Sequence, residues 1–324
     1  MIARLLGALA TLVATTAHAE RAPTPAVLGV SKDQSQRTEQ PKPKPHATKP
    51  RATNDDLLEL TNDPLVGRAD RIRGEDVKGM VTFTFDDGPH PDTTPAVLDA
   101  LVKYDVPATF FIVTRRLLKH GEKGRAILQR TLESGFLVAS HSVSHRNLRR
   151  ASPETLAAEI DQSVRTLAKA ANRPIGLFRA PFGAIDARGR GWLKKRGLTE
   201  AFWSIDTRDW QAKDADRLRS SIFKMIVDQQ GGVVLLHDVK QITAEIIASV
   251  LDDLEAENCK RLAQHRDLIL PVSIHYFLRD KKKPRDIPDD VKQTTAAYRH
   301  ALPARCAARP PELVPEILKP VLWE

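Results

Sequence analysis

The stretch TFDDGP, residues 84–89, places Asp86 and Asp87 side by side at the end of an apolar, alternating segment over residues 80–85. The alternation predicts a buried strand, and the Gly-Pro pair after it predicts a turn. Burying ionisable groups at the end of a strand costs desolvation free energy, so fold stability alone gives no reason for them. A neighbouring cation explains them, and a metal ion is the simplest one. Because adjacent residues of an ideal strand point to opposite faces, we also expect irregular backbone at this pair.

A second segment, HSVSH, carries His141 and His145 directly after an apolar strand predicted over residues 135–139. Residues at i and i+4 share one face of a helical turn, and imidazole is a ligand of zinc and neighbouring transition metals. On its own, this spacing is better explained by a helix with two exposed histidines. Combined with the carboxylates of TFDDGP, it predicts a metal site of one carboxylate and two imidazoles with open coordination positions, as catalytic sites have.

Three further polar segments follow predicted strands. They are RAPFG at 179–183 after 175–178, DTRDW at 206–210 after 201–205, and His237-Asp238 after 232–236. Taken singly, each has a structural explanation, such as a snorkelling arginine, a capping aspartate or a core histidine. Barrel enzymes collect their active-site residues at the carboxyl ends of strands. Five such sites in succession therefore indicate an active site, and the alternation of strands with apolar-striped helices indicates a parallel α/β sheet.

In this order and spacing, TFDDGP, HSVSH, RAPF, DTRDW and LLH resemble the five motifs of the NodB-homology polysaccharide deacetylases, also called carbohydrate esterase family four. The resemblance covers roughly residues 75–275. It implies an α/β fold of the distorted (β/α)7 barrel type. It also implies metal-dependent removal of N-acetyl groups, and in some members O-acetyl groups, from polysaccharides.

The resemblance assigns an expected role to each matching catalytic residue. Asp86 is the expected general base, oriented by Arg179, and His237 is the expected general acid, tuned by Asp209. These assignments agree with what amide hydrolysis requires. A carboxylate takes the proton of the attacking water, and an imidazole beside a second carboxylate protonates the departing amine.

The same resemblance implies two pocket residues and a metal ion. The backbone N–H of Phe182 is expected in the oxyanion hole, and Trp210 is expected to wall the pocket. Phe182 stands where the family often has tyrosine, a change that leaves a backbone role intact. We expect one divalent ion, zinc, with cobalt and nickel left open by affinity trends. Its implied ligands are Asp87, His141 and His145.

The ends of the chain predict export. Residues 1–19 combine Arg4, an apolar stretch and Ala17-His18-Ala19, the pattern of a secretory signal peptide. Residues 20–65 are expected to be a Pro/Lys-rich linker, because this composition cannot bury a core. Residues 66–280 form the predicted deacetylase domain, and residues 281–324 a C-terminal extension of poor periodicity. We therefore expect a periplasmic or extracellular protein of the cell envelope.

Charge is concentrated outside the predicted catalytic domain. The chain carries a formal net charge of +9, yet residues 52–280 contribute only +1. Without a basic stripe over the fold, no nucleic-acid partner is expected. The basic flanks are better explained as solubilising tails. Loose association of these flanks with an anionic envelope stays open as an alternative. We expect the protein to be a monomer, and we expect its partner to be an acetylated polysaccharide.

The only two cysteines, Cys259 and Cys306, suggest a disulfide in an exported protein, with buried free thiols as the alternative. Two alternative functions also stay open, an O-acetyl polysaccharide esterase and a catalytically silent glycan-binding protein on the same fold. A binding protein has no need to keep both Asp86 and His237. This favours the N-deacetylase.

Overall fold

The computed structural model describes residues 66–309. Seven parallel strands form one curled sheet. Numbered along the chain, they lie side by side in the order five, four, three, two, one, seven, six. An eighth strand pairs with the beginning of the first strand. The strands are β1 Met80–Asp86, β2 Ala108–Ile112, β3 Leu137–Ser140, β4 Leu177–Phe178, β5 Thr199–Glu200, β6 Ile205–Asp206, β7 Gly231–His237 and β8 Leu270–Pro271, followed by the hairpin β9 Arg279–Asp280 and β10 Lys283–Pro284. The parallel α/β class predicted from the sequence is confirmed.

Helices alternate with the strands of the sheet. They are α1 Thr94–Lys103, α2 Thr114–Lys119, α3 Gly121–Glu133, α4 Pro153–Leu156, α5 Gln162–Ala171, α6 Ala187–Lys195, α7 Ala215–Gln229, α8 Gln241–Ala263 and α9 Asp289–Ala307. A π-helical turn, Ala157–Asp161, joins α4 to α5. Proline stands near the first helical position of both α1 and α4, where its missing N–H costs no hydrogen bond. At the start of α4, Ser152 Oγ also accepts a hydrogen bond from the Thr155 N–H.

Strand side chains alternate between two apolar clusters. Phe83 and Phe85 pack with helix residues such as Leu98 in the larger cluster. Phe111 and Val233 belong to a second cluster, which fills the other face of the sheet. β1 and β7 are buried on both faces, as expected for central strands of a parallel sheet; β7 is a near-continuous apolar run, whereas two threonines alternate with apolar residues in β1.

One sequence prediction of local structure is wrong, and one helix was not predicted. Residues 201–205 were expected as one strand, but only Ile205 belongs to a strand, and residues 201–204 are a connection between β5 and β6. The extension from residue 281, whose poor periodicity predicts no particular element, contains the long helix α9. This helix buries only Tyr298 and Leu302, so its apolar pattern is too sparse to predict it from periodicity.

The disulfide predicted from the cysteine count is confirmed, since Cys259 of α8 is bonded to Cys306 of α9. Ion pairs reinforce the attachment of α9. Arg305 lies 2.6 Å from Glu255, and Arg309 lies 2.8 Å from Asp252. The bond and these charges hold the C-terminal helix against α8.

The predicted signal peptide and the linker up to residue 65 lie outside the described residues, as do residues 310–324. Within residues 66–309, no helix combines the length and the apolar character needed to cross a bilayer.

Candidate metal centre and active site

Parallel register brings the sequence motifs to one edge of the sheet. β1 and β7 pair along their full length, so Asp86 lies opposite His237 at their carboxyl ends. The last residues of β3 and β4 are also partners, and they are followed by His141 and Arg179. β6 pairs with β7 and leads into the turn that begins at Asp209. The predicted site residues therefore converge although they are far apart in the chain.

Asp87, His141 and His145 form a compact cluster in which the potential ligand atoms all lie within 4.8 Å of one another. The Oδ1 atom of Asp87 is 3.1 Å from Nε2 of His145 and 3.7 Å from Nε2 of His141. This carboxylate oxygen is buried but accepts no hydrogen bond. Buried polar atoms are nearly always paired, so an unpaired carboxylate oxygen facing two imidazole nitrogens indicates a cation site.

The two histidines meet through a loop, so the predicted helical turn is wrong. Residues 141–145 contain no helix, and both Ser142 and His145 have left-handed backbones, with φ of 68° and 62°. The loop is closed internally by a 3.0 Å hydrogen bond from the His145 N–H to Ser142 Oγ. The i, i+4 spacing therefore identifies the correct pair of histidines, but a loop and not a helical turn brings them together.

The hydrogen bonds and burial of His141 suit a metal ligand. Its Nδ1 lies 2.8 Å from the carbonyl oxygen of Arg179, so Nδ1 carries the proton and Nε2 presents its lone pair to the cluster. Burial lowers the pKa of His141 to about 3, which keeps the imidazole in the neutral, ligating form. One carboxylate and two imidazoles with open positions match the donor set of a catalytic transition-metal site. The residues present therefore fit the divalent ion implied by the sequence.

Asp86 belongs to a separate ion pair with Arg179. Arg179 Nη1 donates to Asp86 Oδ1 at 2.7 Å and to Thr84 Oγ1 at 2.9 Å, and the guanidinium also lies over the ring of Phe111. Both charged groups are buried. Burial raises the pKa of Asp86 above its ordinary value, and the charge and hydrogen bond of Arg179 act against that rise. Sequence reasoning anticipated both the desolvation of the carboxylates and the pairing of Asp86 with Arg179.

His237 is paired with Asp209. Its Nδ1 lies 2.7 Å from Asp209 Oδ1, and its backbone N–H donates to Asp209 Oδ2 at 2.7 Å. Thr243 Oγ1 donates to the same Oδ2 atom at 2.6 Å. Burial acts to lower the pKa of His237, but the hydrogen bond and charge of Asp209 outweigh it and raise that pKa to about 9. This imidazole is therefore protonated at neutral pH.

Phe182 and Trp210 are the two large apolar side chains exposed near this edge. The Phe182 ring is 68% exposed and meets the His145 ring edge-on, with centroids 4.5 Å apart. Its backbone is left-handed, with φ of 59°, and the hydrogen bonds of the turn come from the neighbouring Gly183 and Ala184 N–H groups. Trp210 follows Asp209 in a 3-10 turn and is 53% exposed. Sequence reasoning predicted a backbone role for Phe182 and missed its contact with His145.

Asp238 is a buried residue of this edge to which the sequence assigned no role. Its Oδ2 accepts a hydrogen bond from Thr94 Oγ1 at 2.5 Å, and its carbonyl oxygen accepts one from Thr93 Oγ1 at 2.6 Å. Burial raises the pKa of Asp238 to about 7. A Cβ atom at Gly88 would lie 2.2 Å from Oδ2, so Asp238 explains why glycine follows the two carboxylates. Its position beside His237 is the only signal the sequence offers.

Comparison with known proteins identifies the family. Residues 73–201 match the family described as polysaccharide deacetylase. The chitooligosaccharide deacetylase of Bradyrhizobium sp. (strain ANU 289) is 36% identical over 166 residues, which cover 50% of this chain and 73% of the relative. The chain belongs to the polysaccharide deacetylase family. The peptidoglycan-N-acetylglucosamine deacetylase PgdA of Listeria monocytogenes is 31% identical over 181 residues, covering 55% of this chain but only 36% of that longer protein.

Solved structures share the fold. The family 4 carbohydrate esterase from Streptomyces lividans superposes with a TM-score of 0.51 at 25% identity, covering 64% of this chain and 98% of that one. The Bc1960 peptidoglycan N-acetylglucosamine deacetylase gives a TM-score of 0.54 at 24% identity, covering 67% of this chain and 95% of that one. The predicted barrel of the NodB-homology type is thereby confirmed.

Proposed function

We propose that this protein is a metal-dependent hydrolase that removes N-acetyl groups from an aminosugar polysaccharide. One observation carries the proposal. The unpaired Oδ1 of Asp87, which faces the imidazoles of His141 and His145, lies beside a separate base candidate, Asp86, and a separate acid candidate, His237. Family membership supports the same class of reaction, because the relatives are named deacetylases of chitooligosaccharides and peptidoglycan.

Asp86 is proposed to activate the attacking water. Arg179 holds Oδ1, so Oδ2 is the atom that accepts the proton of the water. A divalent ion held by Asp87, His141 and His145 supplies Lewis acidity toward the water and the acetyl carbonyl when it is bound. The burial that raises the pKa of Asp86 makes it a stronger base than an exposed aspartate.

His237 is proposed to protonate the leaving sugar amine. Its Nδ1 is engaged by Asp209, so Nε2 is the atom that donates. Because its pKa is about 9, the proton is available at neutral pH. Asp86 gains the proton of the water and His237 gives one to the amine, which balances the hydrolysis of an amide to acetic acid and the free amine. The Phe182 N–H is proposed to stabilise the oxyanion.

We propose zinc as the native ion, with cobalt or nickel as functional replacements, because the donor set suits all three. We also propose export to the cell envelope and a monomeric state. The support for export is the signal-peptide pattern of residues 1–19. Intact mass of envelope-extracted protein is expected to give a chain that begins at Glu20. A retained leader would contradict export by this route.

Acetate release from a panel of glycans tests the activity. The panel contains chitooligosaccharides, peptidoglycan with intact N-acetylglucosamine, and an O-acetylated polysaccharide. We expect release from an N-acetylated substrate by the zinc-loaded wild type, with losses in Asp86→Asn and His237→Ala. His265→Ala is the matched control, since His265 is an exposed histidine outside the site. Preference for the O-acetylated polymer would favour the esterase alternative, and equal release by wild type and Asp86→Asn would refute the mechanism.

A further inference from the structure

The loop that carries both histidines is held from one side by a buried glutamate of the neighbouring helix. Glu159 lies in the π-helical turn Ala157–Asp161, between α4 and α5, and is 7% exposed. Such one-residue expansions of a helix occur frequently at functional sites. This glutamate is far from the loop in sequence and belongs to none of the five motifs.

The carboxylate of Glu159 accepts three hydrogen bonds from the loop, and its backbone carbonyl oxygen accepts a further one from the Val143 N–H at 3.2 Å. Its Oε2 accepts from the backbone N–H groups of Val143 at 3.1 Å and Ser144 at 2.9 Å. Its Oε1 accepts from Ser144 Oγ at 2.5 Å. Val143 and Ser144 lie between the two histidines in the sequence, so the carboxylate fixes the stretch that sets the separation of their imidazoles.

The opposite side of the loop is held by the beginning of α2. The N–H of Thr114 donates to the carbonyl oxygen of Ser142 at 3.2 Å, and the N–H of Arg115 donates to that of Val143 at 3.0 Å. The loop thus lies between a side-chain acceptor on one element and backbone donors on another. Because its own backbone includes left-handed residues, the loop depends on these external contacts to keep its conformation.

We propose that Glu159 is a positioning residue that holds His141 and His145 at the separation needed to bind the metal ion. The inference rests on the metal centre of the proposed function and goes beyond it, because Glu159 itself binds neither metal nor substrate. Its effect is exerted through the hydrogen bonds that both carboxylate oxygens accept from the loop.

The variants separate these contributions. Glu159→Met removes both side-chain acceptors, leaves the backbone hydrogen bond from Val143, and keeps the side-chain length and helix propensity. Glu159→Gln keeps one side-chain oxygen for the two N–H groups. Asp161→Asn is the matched control. Asp161 lies in the same π-helical turn and is equally buried, but it pairs with Arg196 and Trp192 rather than with the loop.

The measurement is zinc affinity of the full chain, determined by competition with a chromophoric chelator, with circular dichroism as the check on folding. Loss of groups that orient metal ligands typically weakens metal binding by about 10- to 100-fold, and we expect Glu159→Met to fall in that range. The zinc affinity of Glu159→Gln is expected to stay within roughly a few-fold of wild type, because the amide oxygen keeps the hydrogen-bond geometry although the charge is lost. Asp161→Asn is expected to keep wild-type affinity even if its melting temperature falls.

Wild-type zinc affinity in a folded Glu159→Met variant would overturn the inference, and so would equal weakening by Asp161→Asn. If Glu159→Met does not fold, Ser144→Ala, which removes the donor to Glu159 Oε1, replaces it, and unchanged zinc affinity of that variant would overturn the inference. Weakening of Glu159→Gln by tenfold or more, with the control unchanged, would overturn the acceptor-based role. None of these results bears on acetate release by the zinc-loaded wild type, so failure of this inference and failure of the proposed function are distinguishable. A wild type that binds no zinc would refute the metal centre and this inference together.

Discussion

Asp209→Asn tests the mechanism at its acid side, because it removes the charge that keeps His237 protonated. The substitution preserves the size of the side chain and keeps one oxygen for Thr243 or for the His237 N–H. It removes the negative charge that lies 2.7 Å from Nδ1 of the imidazole. Burial, which disfavours the imidazolium, then acts without opposition.

The expected magnitude follows from the pKa of His237. Asp209 and weaker charges raise it from 6.5 to about 9 against the effect of burial. The difference corresponds to about 3 kcal/mol of stabilisation of the protonated form. Without Asp209, the pKa is expected at 6.5 or below. At pH 8.5, a group with a pKa of 6.5 is only about 1% protonated, whereas most of the wild-type imidazole keeps its proton.

The first assay is the pH dependence of kcat/KM for acetate release. A general acid is active in its protonated form, so the wild-type alkaline limb is expected near pH 9. In Asp209→Asn this limb is expected to move to pH 6.5 or below. Asp206→Asn is the matched control, because Asp206 lies at the end of the neighbouring strand and is exposed. An unmoved alkaline limb in Asp209→Asn would refute the assignment of His237 as the acid.

The second assay measures the free energy of unfolding at equal metal loading and does not require activity. A histidine whose folded pKa is raised contributes stability that is fully present below pH 6.5 and is lost as the pH rises through about 9. The stability difference between wild type and Asp209→Asn is therefore expected to be about 3 kcal/mol larger at pH 5.5 than at pH 10. A difference that is the same at both pH values would contradict the pairing.

Three further outcomes are expected. Asp86→Asn is expected to keep its zinc and to lose about 10²- to 10⁴-fold in turnover. Asp87→Asn is expected to lose metal affinity, and excess zinc is expected to restore part of its activity. If Asp86→Asn loses the zinc and Asp87→Asn keeps it, the two residues have the opposite roles. Elemental analysis is expected to find zinc in the wild type but not in His141→Ala, and chelation of the wild type abolishes acetate release until zinc is restored. Replacing Cys259 and Cys306 by serine opens a loop of 47 residues. The free energy of unfolding, measured in denaturant, is expected to fall by about 4 kcal/mol. An unchanged denaturation midpoint would show that the disulfide contributes nothing to stability.

The convergence of the site residues was predictable because it depends on a regular feature of the sheet. Parallel strands bring their carboxyl ends to one edge, so polar residues that follow successive apolar strands must meet there. The register of β1 with β7 and of β3 with β4 satisfies this expectation. Motif order alone therefore predicts which residues meet.

The conformation of the histidine loop could not be predicted in the same way. The spacing of His141 and His145 is compatible with a helical turn, and local sequence gives no reason to prefer a loop. The loop is selected by partners distant in sequence, namely the N–H groups at the beginning of α2 and the carboxylate of Glu159. Hydrogen bonds between residues that are separated in the sequence produce no periodic pattern of residue types.

Helix α9 was missed for a different reason. Periodicity reveals a helix through a wide apolar face, but α9 is attached largely by charges and a covalent bond. Arg305 and Arg309 pair with acidic residues of α8, and Cys306 is bonded to Cys259. The helix also continues through Pro303, which normally signals a helix end.

The division of labour between Asp86 and Asp87 depends on the elements around them. Asp86 keeps its strand position opposite His237, whereas Asp87 leaves the strand with a φ of 80° and donates its N–H to the Phe111 carbonyl oxygen at 3.2 Å. Asp238 then occupies the space that a side chain at Gly88 would need. The backbone turn at Asp87 separates neighbouring carboxylates into two roles, one paired with Arg179 and one facing the histidines. The end of β2 and the residue that follows β7 therefore lie against the turn that directs two successive acids to different partners.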